Sequence, residues 1–316
     1  MARILVTRRL PDGGSEPLAG HDVVGPKPDD APYTHEELCA HARECDAIVS
    51  LLTDRIDAAV LDAGVAGGRL RVVANVAVGY DNIDVSAARD CNITVCNTPG
   101  VLDDTTADTA FLLVLAASRL ASSAEADLRE GRWPGWGITQ YLGRDVHDAT
   151  LGLVGYGRIG RAVARRAEGF GMTVLHHARH ATGDPGYVAD LDELVRTADI
   201  VSLHCPGGAE THHLIDARRL ALMKPTAVLV NTARGTVVDE TALAEALHAG
   251  ALFAAGIDVY EREPEVHPRL LSAPRTVLLP HIGSASQATR TRMAVMATSA
   301  VATVLGGGVP PNVVGS

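Results

Sequence analysis

Short apolar runs alternate with helical stretches along most of this 316-residue chain. Before residue 100 the apolar runs predict strands over 4–6, 22–24, 47–51, 70–74 and 93–95. Thr34 and Glu37 have the spacing of a capping box, so a helix is predicted to begin after the second of these strands. Alternation of strand and helix is typical of a parallel α/β sheet.

The same alternation returns after residue 149. Strands are predicted over 149–154, 173–177, around Val201, and over 228–230, 254–257 and 277–279. Between the two halves, a helix over about 104–120 has Asp103 and Asp104 at its positive end, and a loop-like segment over 130–146 holds both tryptophans. A last helix over 285–305 precedes a tail rich in Gly and Pro. The chain is long enough for two domains of ordinary size.

A glycine motif, Gly155-Tyr-Gly157-Arg-Ile-Gly160, follows the strand 149–154 and opens a helical stretch. In this setting Gly155 permits a tight turn, Gly157 lets the backbone approach a pyrophosphate, and Gly160 lets the helix pack on the strand. The free N–H groups and the dipole of the helix N-terminus favour the phosphates. The motif therefore predicts a dinucleotide site that includes Arg158 and Ile159.

The residues after the next strand indicate which dinucleotide binds. Sites for NAD carry Asp or Glu there, to accept a hydrogen bond from the ribose 2′-OH. Here the position is Ala178, followed by Arg179 and His180. The missing carboxylate removes repulsion toward a 2′-phosphate, and Arg179 offers a bidentate donor for it. We expect NADP(H) to be preferred and NAD(H) to be the alternative, with Asp184 as the nearest carboxylate for NAD(H).

Composition narrows the class of protein. The net charge is −10 and no run of Lys and Arg stands out, so no nucleic-acid partner is expected. The N-terminus has the pattern of a first strand, and the apolar stretch 110–117 is far short of the ~20 residues that span a bilayer, so no membrane association is expected either. Five cysteines without C-x-x-C spacing predict reduced thiols, a cytoplasmic location and no metal site.

Three polar clusters follow predicted strands of the second half. They contain Arg234, the pair Asp258 and Glu263, and the pair His281 and Gly283. The carboxyl ends of parallel strands are where open α/β sheets bind ligands. A nicotinamide transfers hydride only, so a proton must move separately. Histidine suits that step, a carboxylate beside it favours the imidazolium, and arginine holds an anionic substrate. The clusters therefore predict reduction or oxidation of a small carboxylic acid.

Over essentially its full length the chain resembles the D-isomer-specific 2-hydroxyacid dehydrogenases. The likeness rests on the glycine motif, the three clusters, and the segments 78–84 and 97–100. Within the family it is most similar to glyoxylate/hydroxypyruvate reductases, through 77–84, 101–108 and 283–286. The resemblance implies two Rossmann/flavodoxin-like parallel-sheet domains with the active site in the cleft between them. Residues 1–99 and 286–316 would form the substrate-binding domain, and 100–285 the dinucleotide-binding domain.

The resemblance also implies roles for individual residues in catalysis. His281 would be the general acid in reduction, with Glu263 as its partner. Arg234 would bind the carboxylate and the carbonyl of the substrate. The backbone N–H groups of Val78 and Gly79 would receive the other carboxylate oxygen. The side chain of Leu52 is expected to shape the substrate pocket.

Further contacts with the cofactor follow from the same resemblance. Asp258 would accept a hydrogen bond from the nicotinamide carboxamide, and Thr106 would touch the cofactor near the hinge. The remaining residues expected to line the nucleotide site are Cys205, Pro206, Thr232, Ala233, His281 and Gly283.

The family forms dimers, so the resemblance implies a homodimer that pairs through the nucleotide-binding domains. The arm that contains Trp133 and Trp136 would form part of this dimer interface. Trp136 of one copy is expected to close the substrate pocket of the other. An interface tryptophan without substrate contact is the alternative.

The expected activity is the NADPH-dependent reduction of glyoxylate to glycolate and of hydroxypyruvate to D-glycerate. Two alternatives stay open. A dehydrogenase for another 2-keto acid, including the 3-phosphoglycerate type, would keep the fold and the three polar clusters. A non-catalytic, nucleotide-sensing binding module would keep the cofactor site without the chemistry.

Overall fold

The computed structural model describes residues 1–315. Up to residue 100 its elements are β1 (Arg3–Val6), β2 (Asp22–Val24), α1 (His35–Glu44), β3 (Ala47–Ser50), α2 (Ala58–Gly67), β4 (Val72–Asn75), α3 (Val85–Asp90) and β5 (Thr94–Cys96). The elements that follow are α4 (Asp103–Ser118), α5 (Ala121–Arg129), β6 (Thr150–Val154), α6 (Arg158–Glu168), β7 (Thr173–His177), α7 (Leu191–Thr197), β8 (Ile200–Leu203), α8 (Ala217–Leu222), β9 (Val228–Asn231), α9 (Glu240–His248), β10 (Ala254–Ile257), α10 (Pro268–Leu271), β11 (Thr276–Leu278) and α11 (Gln287–Leu305).

These elements form two compact units. One contains residues 1–102 and 285–315, and the other is Asp103–Ser284. The expected boundaries after 99 and before 286 therefore fall three residues and one residue away from those in the structure. Ser316, the last residue of the expected substrate-binding domain, lies outside the described residues.

The first unit is built on a five-stranded parallel sheet of order β2-β1-β3-β4-β5, the flavodoxin-like order. Its core includes Leu5, Ile48 and Val73, which are fully buried. The predicted capping box is confirmed, because the Thr34 hydroxyl accepts from Glu37 N and the Glu37 carboxylate accepts from Thr34 N. The sheet order confirms the predicted fold class for this unit.

The second unit is built on a six-stranded parallel sheet of order β11-β10-β9-β8-β6-β7. The chain starts at β6, adds β7 on one side and β8 on the other, so the strand order reverses between β6 and β8. Such a reversal opens a crevice at the carboxyl ends of the two strands, where doubly wound sheets bind ligands. α4 packs on β10 because Gly256 has no side chain; a Cβ there would lie 2.8 Å from Leu113 Cβ.

The predicted strands are all present, and no bound differs from its prediction by more than two residues. The strand expected over 70–74 is β4, which begins at Val72, and the helix expected over 104–120 is α4, which ends at Ser118. The prediction missed α5, which separates α4 from the loop that holds both tryptophans. Within residues 1–315 no single helix is long and apolar enough to cross a membrane; α4 and α5 pass that test only as a pair, bent by 68°.

Candidate active site

The glycine motif forms the turn between β6 and α6, as predicted. Gly155 has a positive φ of 97°, and a Cβ there would lie 2.6 Å from Cys205 N at the end of β8. Gly160 lies so close to this turn that a Cβ would be 2.3 Å from Gly155 O, whereas nothing lies within 4 Å of a Cβ at Gly157. The turn is therefore closed on the protein side and open beside Gly157, which is the shape that a pyrophosphate requires.

Two arginines lie near the end of β7, where the adenosine ribose is expected, and each is paired with a carboxylate. Arg179 Nη1 lies 2.8 Å from Glu210 Oε2, and both side chains are exposed. Arg161 Nη2 lies 2.6 Å from Asp184 Oδ2. The hydrogen bond from Arg161 lowers the pKa of Asp184. Asp184, the nearest carboxylate that the sequence offered to NAD(H), is therefore engaged with Arg161.

The loop after β7 is anchored to the glycine turn by aromatic contacts. The ring of His176 stacks on Tyr156 with 3.7 Å between centroids, and the Arg161 guanidinium lies 4.5 Å from the Tyr156 centroid. His176 Nε2 is 2.7 Å from the Thr182 hydroxyl. Burial lowers the pKa of His176, so this histidine is neutral near pH 7. Ala178 follows this anchored strand and is half-buried, while His180 is exposed.

The ends of β8 and β9 supply the other expected cofactor residues of this unit. Burial raises the pKa of the Cys205 thiol to about 11, so it is a neutral group at physiological pH. Pro206 O accepts from the Thr211 hydroxyl at 2.7 Å. The Thr232 hydroxyl is buried and has no hydrogen-bond partner among the described residues. A bound cofactor would give such an orphaned group a partner, so the donor set fits a nucleotide.

Asp258 is the centre of the hydrogen bonds at the ends of β10 and β11. It is 1% exposed. Its backbone oxygen accepts from His281 N at 2.9 Å, and its two carboxylate oxygens accept from Ile282 N at 2.7 Å and Gly283 N at 2.8 Å. A Cβ at Gly283 would lie 3.2 Å from Asp258 Oδ2 and 3.5 Å from Thr106 Cγ2. Three residues that the sequence predicted as cofactor ligands, Thr106, Asp258 and Gly283, are thus neighbours.

Glu263 and His281 form the hydrogen-bonded pair that the sequence predicted. Glu263 Oε2 lies 2.8 Å from His281 Nδ1, and Glu263 Oε1 accepts from Tyr260 N at 3.0 Å. Burial alone would raise the pKa of Glu263, but the hydrogen bond and charge of His281 and the Tyr260 N–H hold it below its usual value. Because a carboxylate only accepts, Nδ1 of His281 carries a proton and Nε2 is left for a substrate.

Arg234 lies next to this pair, just after β9. Gly235 contacts the backbone of the loop that carries Glu263, since a Cβ at Gly235 would lie 1.8 Å from Tyr260 C. Arg234 Nη1 donates to Ala233 O at 2.8 Å, and Asn231 Nδ2 donates to Arg234 O at 2.9 Å. The charge of Arg234 also lowers the pKa of Glu263. The three predicted catalytic residues are therefore grouped at one edge of the sheet.

In the first unit, Val78 and Gly79 form a turn after β4. Asn97 Nδ2 donates to Val78 O at 2.7 Å, and Asn75 Nδ2 donates to Gly79 O at 2.9 Å. Side chains thus hold both carbonyls of the turn. The N–H groups of Val78 and Gly79 have no hydrogen-bond acceptor among the described residues of this unit. The turn is thus a preformed pair of backbone donors.

The asparagines that hold this turn were missed by the sequence-based prediction. Asn75 Nδ2 also donates to Asn82 Oδ1 at 3.0 Å, and Asn82 Nδ2 donates to Leu51 O at 3.0 Å. This network joins the Val78–Gly79 turn to the turn that carries Leu52, which is 36% exposed. The available signal was the placement of Asn75 and Asn97 at the ends of buried strands.

The tryptophan arm is exposed on the second unit. Trp136 is 81% exposed and Trp133 is 48% exposed. Within residues 1–315, no group of three or more His, Cys, Asp or Glu side chains is arranged to hold a metal ion.

Comparison with known proteins identifies the family. The family model for the NAD-binding domain of D-isomer-specific 2-hydroxyacid dehydrogenases matches residues 111–283. A glyoxylate reductase of Korarchaeum cryptofilum is 46% identical, over 99% of this chain and 95% of its own. A crystal structure of a Thermus thermophilus protein is similar with a TM-score of 0.92 and 43% identity, covering 99% of each chain.

A further relative was solved with cofactor. The structure of an NADPH-dependent glyoxylate/hydroxypyruvate reductase from Sinorhizobium meliloti, in complex with NADP and malonate, has a TM-score of 0.86 and 35% identity, covering 99% of this chain and 97% of that one. The present chain belongs to the D-isomer-specific 2-hydroxyacid dehydrogenase family. It is an NAD(P)-dependent oxidoreductase, as its sequence predicted.

The second and third glycines of the motif are expected to have different roles, Gly157 in cofactor binding and Gly160 in folding. Gly160→Ala places a Cβ against Gly155 O and should lower the free energy of unfolding by about 1–3 kcal/mol. Gly157→Ala faces open space and should cost about 1 kcal/mol or less, yet its methyl group would obstruct the pyrophosphate and weaken binding of NADPH or NADH. Chemical denaturation without cofactor and NADPH fluorescence titration measure the two effects. Wild-type NADPH affinity in Gly157→Ala would contradict this placement of the pyrophosphate.

Proposed function

We propose that this protein reduces small 2-keto acids with NADPH, converting glyoxylate to glycolate and hydroxypyruvate to D-glycerate. The observation that carries the proposal is the 2.8 Å pair of Glu263 and His281 beside Arg234, at the carboxyl edge of the dinucleotide-binding sheet. The activities named for two relatives, glyoxylate reductase and NADPH-dependent glyoxylate/hydroxypyruvate reductase, support the choice of acids and cofactor. When bound, the cofactor supplies the hydride.

Arg234 is the residue that we propose to bind the substrate. A guanidinium forms two parallel hydrogen bonds to a carboxylate, and it can also polarise a carbonyl next to that carboxylate. Contact of Gly235 with the Tyr260 backbone fixes this arginine relative to the loop that carries Glu263. Val78 and Gly79 remain proposed donors to the substrate carboxylate, and Leu52 a proposed neighbour of its side chain.

His281 is the proposed proton donor. Its Nδ1 is engaged by Glu263, so Nε2 is the nitrogen that would protonate the oxygen of the reduced carbonyl. The Glu263 carboxylate stabilises the imidazolium that donates the proton and fixes the orientation of the ring. A non-catalytic binding module would have no need for this oriented acid–base pair, which favours the enzyme over that alternative.

The cofactor preference is proposed from the end of β7. Ala178 offers no carboxylate to the ribose 2′-OH, and Arg179, the next residue, has an exposed guanidinium that would bind a 2′-phosphate. Glu210 partly neutralises Arg179, because the two side chains are 2.8 Å apart. An exposed pair of this kind contributes only about 0–1 kcal/mol, so a phosphate dianion can replace the carboxylate at small cost. We therefore propose NADPH as the preferred cofactor and NADH as a weaker one.

We further propose a homodimer that pairs through the tryptophan arm. Of the fourteen large hydrophobic side chains that are exposed in the described chain, six lie between residues 112 and 142. Such a concentration indicates an interaction surface. Trp136, the most exposed of the arm, remains the proposed contact to the substrate pocket of a second copy. A mass of one chain in sedimentation equilibrium would contradict the dimer.

We also propose a cytoplasmic location. The five free cysteines agree with it, because thiols stay reduced in the cytosol.

The substrate assignment predicts fast oxidation of NADPH with glyoxylate and hydroxypyruvate. The measurement is steady-state absorbance at 340 nm, with pyruvate as the comparison keto acid. We expect the kcat/KM of pyruvate to be about 10-fold or more below that of hydroxypyruvate, since pyruvate lacks the 3-hydroxyl group and a pocket group left without that hydrogen bond costs about 1–3 kcal/mol. Faster turnover of pyruvate or of a longer 2-keto acid would overturn the choice of acids and leave the catalytic pair intact.

The cofactor assignment predicts opposite effects for two single substitutions. Arg179→Gln should raise the KM for NADPH about 10-fold and leave that for NADH nearly unchanged, because a charge-assisted hydrogen bond is worth about 1.5–3 kcal/mol. Glu210→Gln should lower the KM for NADPH by about 2- to 5-fold, because a competing charge is removed. Steady-state kinetics with both cofactors provide the test. If Arg179→Gln changes both KM values equally, Arg179 does not select the 2′-phosphate.

The proton-donor assignment predicts a rate of reduction that falls as the pH rises. The pKa of Glu263 is held below its usual value, so Glu263 is ionised throughout pH 6–9 and cannot cause this decline. The decline is therefore assigned to the proton that His281 donates in the reaction. In Glu263→Gln the neutral amide no longer stabilises the imidazolium, so the decline should move to lower pH. A profile that is flat from pH 6 to 9, with a deuterium isotope effect showing rate-limiting hydride transfer, would exclude His281 as donor.

A further inference from the structure

The loop that carries Glu263 is fixed on the sheet side by Tyr260, which is buried and whose hydroxyl donates to Leu279 O at 2.9 Å. It leaves β10 at Asp258 and ends at His267, just before α10. Glu263 accepts from Tyr260 N within the loop and pairs with His281, but these contacts do not join the loop to the layer of helices. Glu263 can hold one tautomer of His281 only if the carboxylate itself has a fixed position. Whatever anchors this loop to the helices therefore affects proton transfer by His281.

Glu240, the first residue of α9, supplies such an anchor. Its side chain is buried, with the residue 7% exposed. Glu240 Oε1 accepts from Glu261 N at 2.6 Å, and Glu240 Oε2 accepts from His267 N at 3.3 Å. In return, Glu261 Oε1 accepts from Glu240 N at 2.9 Å. One buried carboxylate therefore ties the loop to the N-terminus of α9 at two points, one on each side of Glu263.

The helix itself does not need this carboxylate. Asp239 is the N-cap of α9 and accepts from Ala242 N at 2.9 Å, so the usual capping bond is already made. Burial raises the pKa of Glu240, and the N–H groups of Glu261 and His267 oppose that effect. A buried carboxylate whose oxygens serve only a remote loop points to a role in that loop.

Other charged groups surround the same junction. His213 Nε2 lies 3.1 Å from Glu261 Oε1, and His213 Nδ1 lies 3.9 Å from Asp239 Oδ2. His212 stacks on His213 with 4.0 Å between ring centroids. Glu240 and His267 are further titratable side chains at this junction, and Arg262 and Glu265 belong to the loop itself.

We infer that Glu240 is a positioning residue: with Glu261 it clamps the loop so that Glu263 meets His281. This inference rests on the proposed function, because it assigns Glu240 an effect that passes through the proposed acid–base pair. Glu240 does not touch the substrate, and it carries no proton in the reaction. It holds the loop in the position from which Glu263 orients the imidazole ring of His281 and stabilises its imidazolium form.

The test is a double-mutant cycle with Glu240→Gln and Glu263→Gln. Gln at 240 keeps one acceptor and turns an NH₂ group toward the second N–H, so the clamp is half lost. We expect kcat to fall about 10-fold with less than about a 2-fold change in the NADPH dissociation constant, and the alkaline decline to move to lower pH as in Glu263→Gln. In the Glu263→Gln background, Glu240→Gln should lower kcat by less than about 2-fold.

The control is Glu245→Gln, a substitution on the same helix at an exposed ion pair with Arg269, which should leave kcat and the pH profile as in the wild type. An equal loss of kcat from Glu240→Gln in both backgrounds, or an unshifted pH profile, would overturn the inference. If Glu240→Gln does not fold, Glu261→Gln tests the other half of the clamp by the same cycle. Wild-type kinetics in the single variant Glu263→Gln would contradict the proposed function itself. Failure of the proposed function can therefore be distinguished from failure of the inference about Glu240.

Discussion

The candidate active site depends on one buried carboxylate. Asp258 ends β10 and receives three N–H groups of the turn after β11, one on its backbone oxygen and two on its side chain. His281 has a φ of 54°, a conformation that few residues other than glycine adopt. Unpaired backbone donors in a buried turn would be costly, and Asp258 satisfies them while holding the histidine in that conformation. The orientation of the imidazole toward Glu263 follows from this constraint.

Charged side chains at the two ends of the proposed cofactor site are treated differently by the structure. At the catalytic end the carboxylates of Asp258 and Glu240 are buried and accept backbone N–H groups, which offset the cost of desolvation. At the ribose end the pairs of Arg179 with Glu210 and Arg161 with Asp184 are more exposed and contribute little to stability. Buried, hydrogen-bonded carboxylates thus lie near the proposed acid–base pair. The exposed ion pairs, which a ligand can disrupt at small cost, lie where a 2′-phosphate would bind.

The sequence predicted the strands of both sheets and the turn of the glycine motif because each rests on a local pattern. Gly155 and Gly160 were assigned from their spacing between a predicted strand and a predicted helix, and the structure leaves no room for a Cβ at either. The capping box at Thr34 was equally local. Predictions that depended on contacts distant in sequence were less complete. Arg179 was expected to be an available donor, and only the folded chain brings Glu210 to within 2.8 Å of it. The asparagines around Val78 and Gly79 were missed for the same reason.

The sequence by itself determined the fold class, the family and the identity of the three polar clusters, since periodicity, glycine spacing and motif residues are read along the chain. Only the tertiary structure decided how the clusters are held. A carboxylate at 240 can bind N–H groups at 261 and 267 only when the N-terminus of α9 lies beside the loop after β10, and no local pattern encodes that distance. The strand order places these segments side by side at the carboxyl edge of the sheet, where their side chains meet.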